Sequence, residues 1–194
     1  MNTNSPPTAR FALNLLLDDA SRLLLLKRVD SAHLGPGLWG LPAGKIEAGE
    51  TAAAAAAREM REEIGPDHRV ELTRYLGPIR DTYYGGQYEI HLFQQRWRGG
   101  EVVLNDEHTA WAWVAPEDFH RYPVMDGIEE DIALLGFWPQ RYLDRERIPP
   151  HLREDAGKNR GQTTISPAST QDAGEAVSGN RGLSPIAGDG GEVP

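Results

Sequence analysis

The sequence predicts an α/β layered domain on a mixed sheet, followed by a tail that does not fold by itself. Three observations predict it. Six alanines, Ala52 to Ala57, lie in a helical run over residues 50–64. Apolar or alternating runs separated by turn residues lie on both sides of that helix. From about Arg145 onward the composition shifts to Gly, Ser, Thr, Pro, Asn and Asp, with few large apolar residues. The 194 residues therefore divide into a flexible N-terminal tail over 1–9, a domain over 10–144 and a C-terminal tail over 145–194. Residues 166–194 cannot bury enough surface to fold and read as disordered.

Each element has a local reason. Alanine is the best helix former, Gly65 stands where a left-handed cap belongs, and Pro66 blocks continuation. Ahead of the helix, residues 39–49 hold Gly40, Gly44 and Gly49 around Pro42, which predicts an ordered loop. Residues 11–17 and 23–27 are apolar and flank Asp18-Asp19-Ala20-Ser21, so they form a hairpin or at least neighbouring strands. Residues 70–76 and 88–97 read as strands, the second with Ile90, Leu92 and Gln94 on one side, and Tyr83-Tyr84-Gly85-Gly86 turns between them. Gly99-Gly100 leads to a short strand over 102–104. Residues 110–114 form another strand, with Trp111 and Trp113 on one side. Pro116-Glu117-Asp118 opens like a helix, and Ile128, Ile132 and Leu135 suit a last amphipathic helix ending near Gly136.

Composition excludes several functions. There is no cysteine, hence no disulfide, thiolate metal site or cysteine nucleophile. A net charge of -9 argues against a nucleic-acid surface. No apolar run is long enough to span a membrane, and Asp18-Asp19 interrupts the early leucines, so neither a signal peptide nor membrane association is expected and a cytoplasmic location is.

The central helix has two faces. Ala53, Ala56, Ala57, Met60 and Ile64 form a small, smooth stripe suited to packing on a sheet. Glu59, Glu62 and Glu63 stand at i, i+3 and i+4, so three carboxylates share one face. Such a cluster repels itself unless a cation lies between the charges. Oxygen donors without His or Cys suit Mg²⁺ or Mn²⁺ before zinc. A metal beside a glycine loop suits phosphate chemistry. Arg58 and Arg61 interleave with the glutamates, so the same hexapeptide also describes a solvated, salt-bridged helix face. The loop in front of it weighs for the metal.

Residues 44–66 resemble the Nudix box, Gly-x5-Glu-x7-Arg-Glu-U-x-Glu-Glu-x-Gly-U with U aliphatic. Gly44, Glu50, Arg58, Glu59, Met60, Glu62, Glu63 and Gly65 match at the right spacing, and Pro66 departs at the last position. The lead-in over residues 37–44 and Asp106-Glu107-His108 ahead of Trp113-Val114 are also similar to the family's pattern. The resemblance spans roughly residues 10–143 and implies an α/β/α sandwich in which the box forms loop–helix–loop. It implies hydrolysis of a nucleoside diphosphate linked to another group, by water attacking a bridging phosphate. Glu59, Glu62 and Glu63 would bind Mg²⁺ or Mn²⁺, with the Gly44 carbonyl as a further ligand. One of these glutamates or Glu107 would be the general base, although Glu107 equally fits solvated surface. Arg58 would orient the glutamates, and Glu50 would steady the loop against the helix.

The lead-in most resembles MutT-type nucleoside triphosphate pyrophosphohydrolases. The region after the late strand has no asparagine of the kind that reads guanine in some of them. Tyr83 and Tyr84 fall where a tyrosine marks dinucleoside polyphosphate hydrolases, while Asp81 and Thr82 stand where a proline marks ADP-ribose hydrolases. Arg28 leaves a strand beside the phosphate loop, as a substrate contact or a surface residue. Trp39, Trp111 and Trp113 suit stacking on a base or burial in the core. The isoprenoid isomerase branch needs a cysteine and is excluded. The expected activity is Mg²⁺-dependent hydrolysis of a small nucleotide-type diphosphate, most of all a nucleoside triphosphate. The alternatives are a dinucleoside polyphosphate or nucleotide-sugar hydrolase, and a binding module that senses a nucleotide without cleaving it.

Overall fold

The structure is a computed structural model that describes residues 5–154. Its first strands, β1 (Ala9–Leu17) and β2 (Leu23–Arg28), leave a turn organised by Asp18, whose Oδ1 accepts from the Ala20 and Arg22 amides at 3.0 and 2.8 Å. The two strands pair at Leu17–Leu23 and then part. Two short strands enter the opening. β3 (Trp39–Gly40) pairs antiparallel with β2, and β4 (Ala43–Lys45) pairs antiparallel with β1. The sheet is completed by β5 (Arg69–Arg80), β6 (Tyr88–Gly99) and β7 (His108–Val114). β6 lies parallel to β1 along its whole length, β5 is antiparallel to β6, and β7 is antiparallel to β2. This is the mixed sheet expected.

Helices cover both faces, which is why β1 and β2 are almost continuously apolar. On one face, α1 (Ala52–Ile64) sets Met60 and Ile64 against Leu16, Leu24 and Leu26. Its Thr51 accepts from the Ala54 amide at 3.1 Å as N-cap. Ala55, Ala56 and Glu63 complete the buried stripe, whereas Ala53 faces solvent. On the other face, α2 (Ile128–Leu135) packs Ile128, Ile132 and Leu135 with Leu15, Leu23 and Leu25. Gly136, at φ 62°, closes α2 with its amide on the Ile132 carbonyl. Among the described residues no helix is long and apolar enough to cross a membrane.

Five expectations are corrected. Residues 102–104 are not a strand: Val102 and Leu104 pack on the Met60–Ile64 cluster, and the Val103 amide caps the Ile64 carbonyl at 3.0 Å. Gly65 has the expected positive φ of 87°, but its ψ of 164° carries the chain away extended rather than in a left-handed cap. Pro116–Arg121 is a 3-10 helix. The packed core also runs past residue 144. Ile148 is 1% exposed within the α2 cluster, and Arg147 pairs with Glu129 and Asp126 at 3.0 and 2.9 Å. At the other end, the Thr8 amide and the Ser5 carbonyl already bond to Gln87 and Arg80. The tail expectations for residues 1–4 and 155–194 lie outside the described residues.

Ile148→Ala is expected to cost about 2–5 kcal/mol in urea denaturation, as for a fully buried aliphatic side chain. Truncation after residue 144 is expected to lower the melting temperature at least as much.

Candidate active site

The parting of β1 and β2 lets the loop before α1 reach the middle of the sheet, and a buried asparagine fixes it there. Asn14 is fully buried on β1. Its Nδ2 donates to the Pro42 and Ala56 carbonyls at 3.2 Å each, and its Oδ1 accepts from Gln95 Nε2 at 2.7 Å. One side chain thus ties loop, helix and β6 together. Sequence reading passed over both residues. The available signal was a polar side chain inside the apolar run of β1.

The acidic face of α1 meets this loop. Glu63 is 3% exposed and accepts from the Ala43 amide at 2.8 Å. Burial pushes its carboxyl up to about 8; the Ala43 amide opposes the rise, and Glu59 and Glu107 add to it. Burial also raises Glu59, against the pull of Arg58. A Cβ on Gly44 would fall inside the Glu59 carboxylate, so the glycine is required by close approach and not by its φ. Of the three loop glycines expected to serve the turn, Gly49 alone has positive φ, at 81°.

Arg58 is the hub of the outer part. It donates to Glu50 Oε1 at 3.0 Å, to Glu59 at 2.6 Å, to Glu62 at 3.1 Å and to the Lys45 carbonyl at 3.0 Å. Glu50 foremost, and then Glu59, raise its already high proton affinity. Glu50 also accepts from the Glu47 amide at 3.1 Å, which anchors the loop to the helix. With Glu59 and Glu62 turned onto Arg58, no three His, Asp or Glu side chains among the described residues already converge as a metal set.

A cavity of about 430 Å³ opens beside these groups. Gly44, Glu59, Glu63, Arg28 and Glu107 line one end, and Tyr83 and Tyr84 line it farther away. Arg28 is braced by the Leu34 carbonyl at 2.8 Å. The Glu107 side chain makes no hydrogen bond or ion pair among the described residues. Next to it His108 is buried with Nε2 3.9 Å from Glu63, and burial, helped by Arg28, lowers its pKa to about 4, so it is neutral at pH 7. Trp39 is not part of this lining: it packs edge-on against Tyr122 at 5.0 Å. Trp113 packs on Trp97, and Trp111 lies on the exposed surface of β7.

Two outcomes follow from this geometry. Gly44→Ala is expected to keep the parent's circular dichroism and lower turnover about 10²-fold, because Glu59 must move. A carboxyl at about 8 when folded and 4.5 when unfolded makes the folded state bind more protons between those values. Stability of the metal-free protein therefore falls as pH rises from about 4.5 to 8. Glu63→Gln should flatten that fall in melting temperatures recorded with a chelator.

Comparison with known proteins agrees with the geometry. The family model for the NUDIX domain matches residues 7–135. The chain is 34% identical over 130 residues to the nucleoside triphosphatase NudI of Escherichia coli, covering 62% of this chain and 92% of that protein. The MutT NUDIX hydrolase from Burkholderia pseudomallei superposes with a TM-score of 0.52 at 27% identity, covering 66% of this chain and 97% of the other. The MutT protein from Methanosarcina mazei superposes with a TM-score of 0.56 at 22% identity, over 71% and 94% of the two chains, a likeness of fold.

Proposed function

The chain belongs to the Nudix family of hydrolases, and we propose that it is a magnesium-dependent pyrophosphohydrolase of nucleoside triphosphates that releases a nucleoside monophosphate and pyrophosphate. The observation that carries this reading is the meeting of Gly44, Glu59 and Glu63 with Arg28 and Glu107 on one cavity. The Escherichia coli relative, called a nucleoside triphosphatase, supports the choice of substrate.

Nudix hydrolases use a divalent metal ion. The residues fit a hard one: the lining offers carboxylates and a backbone carbonyl, without His or Cys. Burial chiefly raises the proton affinities of Glu59 and Glu63, and their neighbouring carboxylates add to it, a charge arrangement that a bound cation would relieve. Glu59, Glu62 and Glu63, with the Gly44 carbonyl, would hold Mg²⁺, or Mn²⁺ in its stead. Bound there, it would neutralise phosphate oxygens and acidify the attacking water. Arg58 would hold the glutamates in register, and Arg28 would contact the phosphates. In the reaction, a water oxygen bonds to phosphorus as the bridging P–O bond breaks, and the electron pair leaves with pyrophosphate. Glu107, the lining glutamate with no side-chain bond among the described residues, takes the water's proton.

The half-exposed Tyr83 and Tyr84 favour a second reading, in which another nucleoside rests on them and a dinucleoside polyphosphate is cleaved. Hydrolysis with Mg²⁺ across (d)NTPs, dinucleoside polyphosphates, ADP-ribose and nucleotide sugars, with products identified, separates the two. Triphosphates are expected to lead, giving monophosphate and pyrophosphate. Binding without turnover would instead identify a sensing module. Glu63→Gln and Glu107→Gln are each expected to lower kcat about 10²- to 10⁴-fold without unfolding the protein; full activity in a folded Glu63→Gln protein contradicts the metal assignment.

A further inference from the structure

A hydrogen-bonded row of side chains lies outside the cavity, on the face of the sheet that carries α1. Successive residues of a strand alternate faces, so Glu89, His91 and Phe93 of β6 share that side, where Phe93 packs with Ala55 and Ala56. Tyr75 of β5 stands opposite Phe93, and its ring meets Phe93 at 5.0 Å and stacks on His91 at 6.1 Å. The Tyr75 hydroxyl lies 2.7 Å from His91 Nδ1, and His91 Nε2 lies 3.0 Å from Glu89 Oε1. Arg10 Nε donates to the same Glu89 oxygen at 2.8 Å. None of the four lines the cavity, and hydrolysis does not use them.

The order of the row sets its protons. Arg10 foremost, then His91, holds the Glu89 carboxyl below the usual carboxylate range. An ionised carboxylate can only accept, so His91 Nε2 carries the hydrogen and Nδ1 keeps its lone pair. The Tyr75 hydroxyl therefore donates to Nδ1. A hydroxyl, an imidazole within its reach and a carboxylate that orients the imidazole are the parts of an activated nucleophile. His91 is 5% exposed, so little water competes for its ring nitrogens, whereas Tyr75 is 45% exposed and within reach of a small reagent. Close approach makes room for the contact. A Cβ on Gly77 would stand 2.9 Å from His91 Nδ1 and 3.0 Å from the Tyr75 oxygen.

We propose that Tyr75 is a site of covalent acylation, its phenol oxygen activated by His91 and Glu89 toward a small activated acyl donor. The site is independent of the nucleotide chemistry at the cavity. In the step, Tyr75 Oη bonds to the carbonyl carbon of the donor, and its proton passes to His91 Nδ1. The bond from that carbon to the leaving group breaks, the electron pair departs with the leaving group, and His91 returns the proton to it. Glu89 stabilises the imidazolium between the two proton transfers. The product is an aryl ester on Tyr75. A neutral acyl carbon suits the surroundings better than an anionic phosphoryl donor, since Glu89 stands one imidazole away and the chain carries a net charge of -9.

The test treats the full chain, without nucleotide, with limiting N-acetylimidazole as acyl donor, and follows acetylation of each tyrosine by peptide mass spectrometry. Tyr83 is the internal reference: it is 46% exposed, matching Tyr75, but its hydroxyl has no hydrogen bond among the described residues. Tyr75 is expected to react about tenfold faster than Tyr83 or more, through general-base assistance. His91→Phe should bring the two rates within about twofold. If that variant fails to fold, Glu89→Gln at its partly exposed position decides: it removes the charge that stabilises the imidazolium, so the difference narrows. A hydrogen bond that only holds the ring in place would leave Tyr75 at or below the rate of Tyr83. That result, or an unchanged ratio in a folded variant, overturns the site.

Discussion

Keeping Glu63 out of water requires a donor aimed at it, and that donor is the Ala43 amide at 2.8 Å. The amide is available because β1 and β2 part after Leu17–Leu23 and admit β4 between them. The opening persists because Asn14, inside β1, bonds the loop through Pro42 and the helix through Ala56. Remove any member of this series and a buried carboxyl faces apolar surroundings without compensation, a loss of several kcal/mol by order of magnitude. The close approach of Glu59 to Gly44 depends on the same placement of β4. Sheet topology and acid placement are therefore one problem with one solution.

The other face of the sheet meets the same difficulty with different means. α2 begins with Glu129, Glu130 and Asp131, all buried. Arg147, from beyond the family match, pairs with Glu129 at 3.0 Å and with Asp126 on the cavity wall. Even so, Glu129 Oε2 has no hydrogen-bond partner among the described residues. The segment after α2 is thus part of the cavity's support, and Ile148 seals it into the core. Arg58 does the corresponding work on α1, but it holds carboxylates whose orientation can change, since Glu62 is half exposed beside it.

What the sequence made legible was local. Alanine choice fixes α1, the i, i+3, i+4 spacing fixes the glutamate face, and the loop glycines and Glu107 follow the family's pattern. What stayed hidden depends on partners distant along the chain. Residues 102–104 look like a strand by composition, but Val102 and Leu104 pack on the cluster that holds Met60 and Ile64, and the Val103 amide caps α1. Ile148 stands in a polar segment that predicts a tail, and a single apolar side chain is enough to dock it. Asp131 looks like an acid in the first turn of a helix, where the dipole favours it. Helical periodicity sorts a residue to one side of its helix; it does not say whether that side meets water or a cavity. Trp39 stands off the cavity lining for a related reason, because its ring packs against Tyr122.

The cavity's charge bears on how an anion enters it. Among the described residues seven acidic ones line it, against Arg28 as the one basic residue there, and burial raises the proton affinity of Glu59, Glu63, Glu130 and Asp131, which lessens the charge they carry. The acids that stay ionised repel a triphosphate, and a triphosphate in turn raises the proton affinity of the others; one guanidinium offsets little of that repulsion. Under the proposed reading, the phosphates are tolerated only in company with divalent cations, whose charge reverses the local field. Arg58, committed to four partners on α1 and its loop, is no substitute. It neutralises the glutamates against one another, which keeps them close enough together for an ion to take over that role.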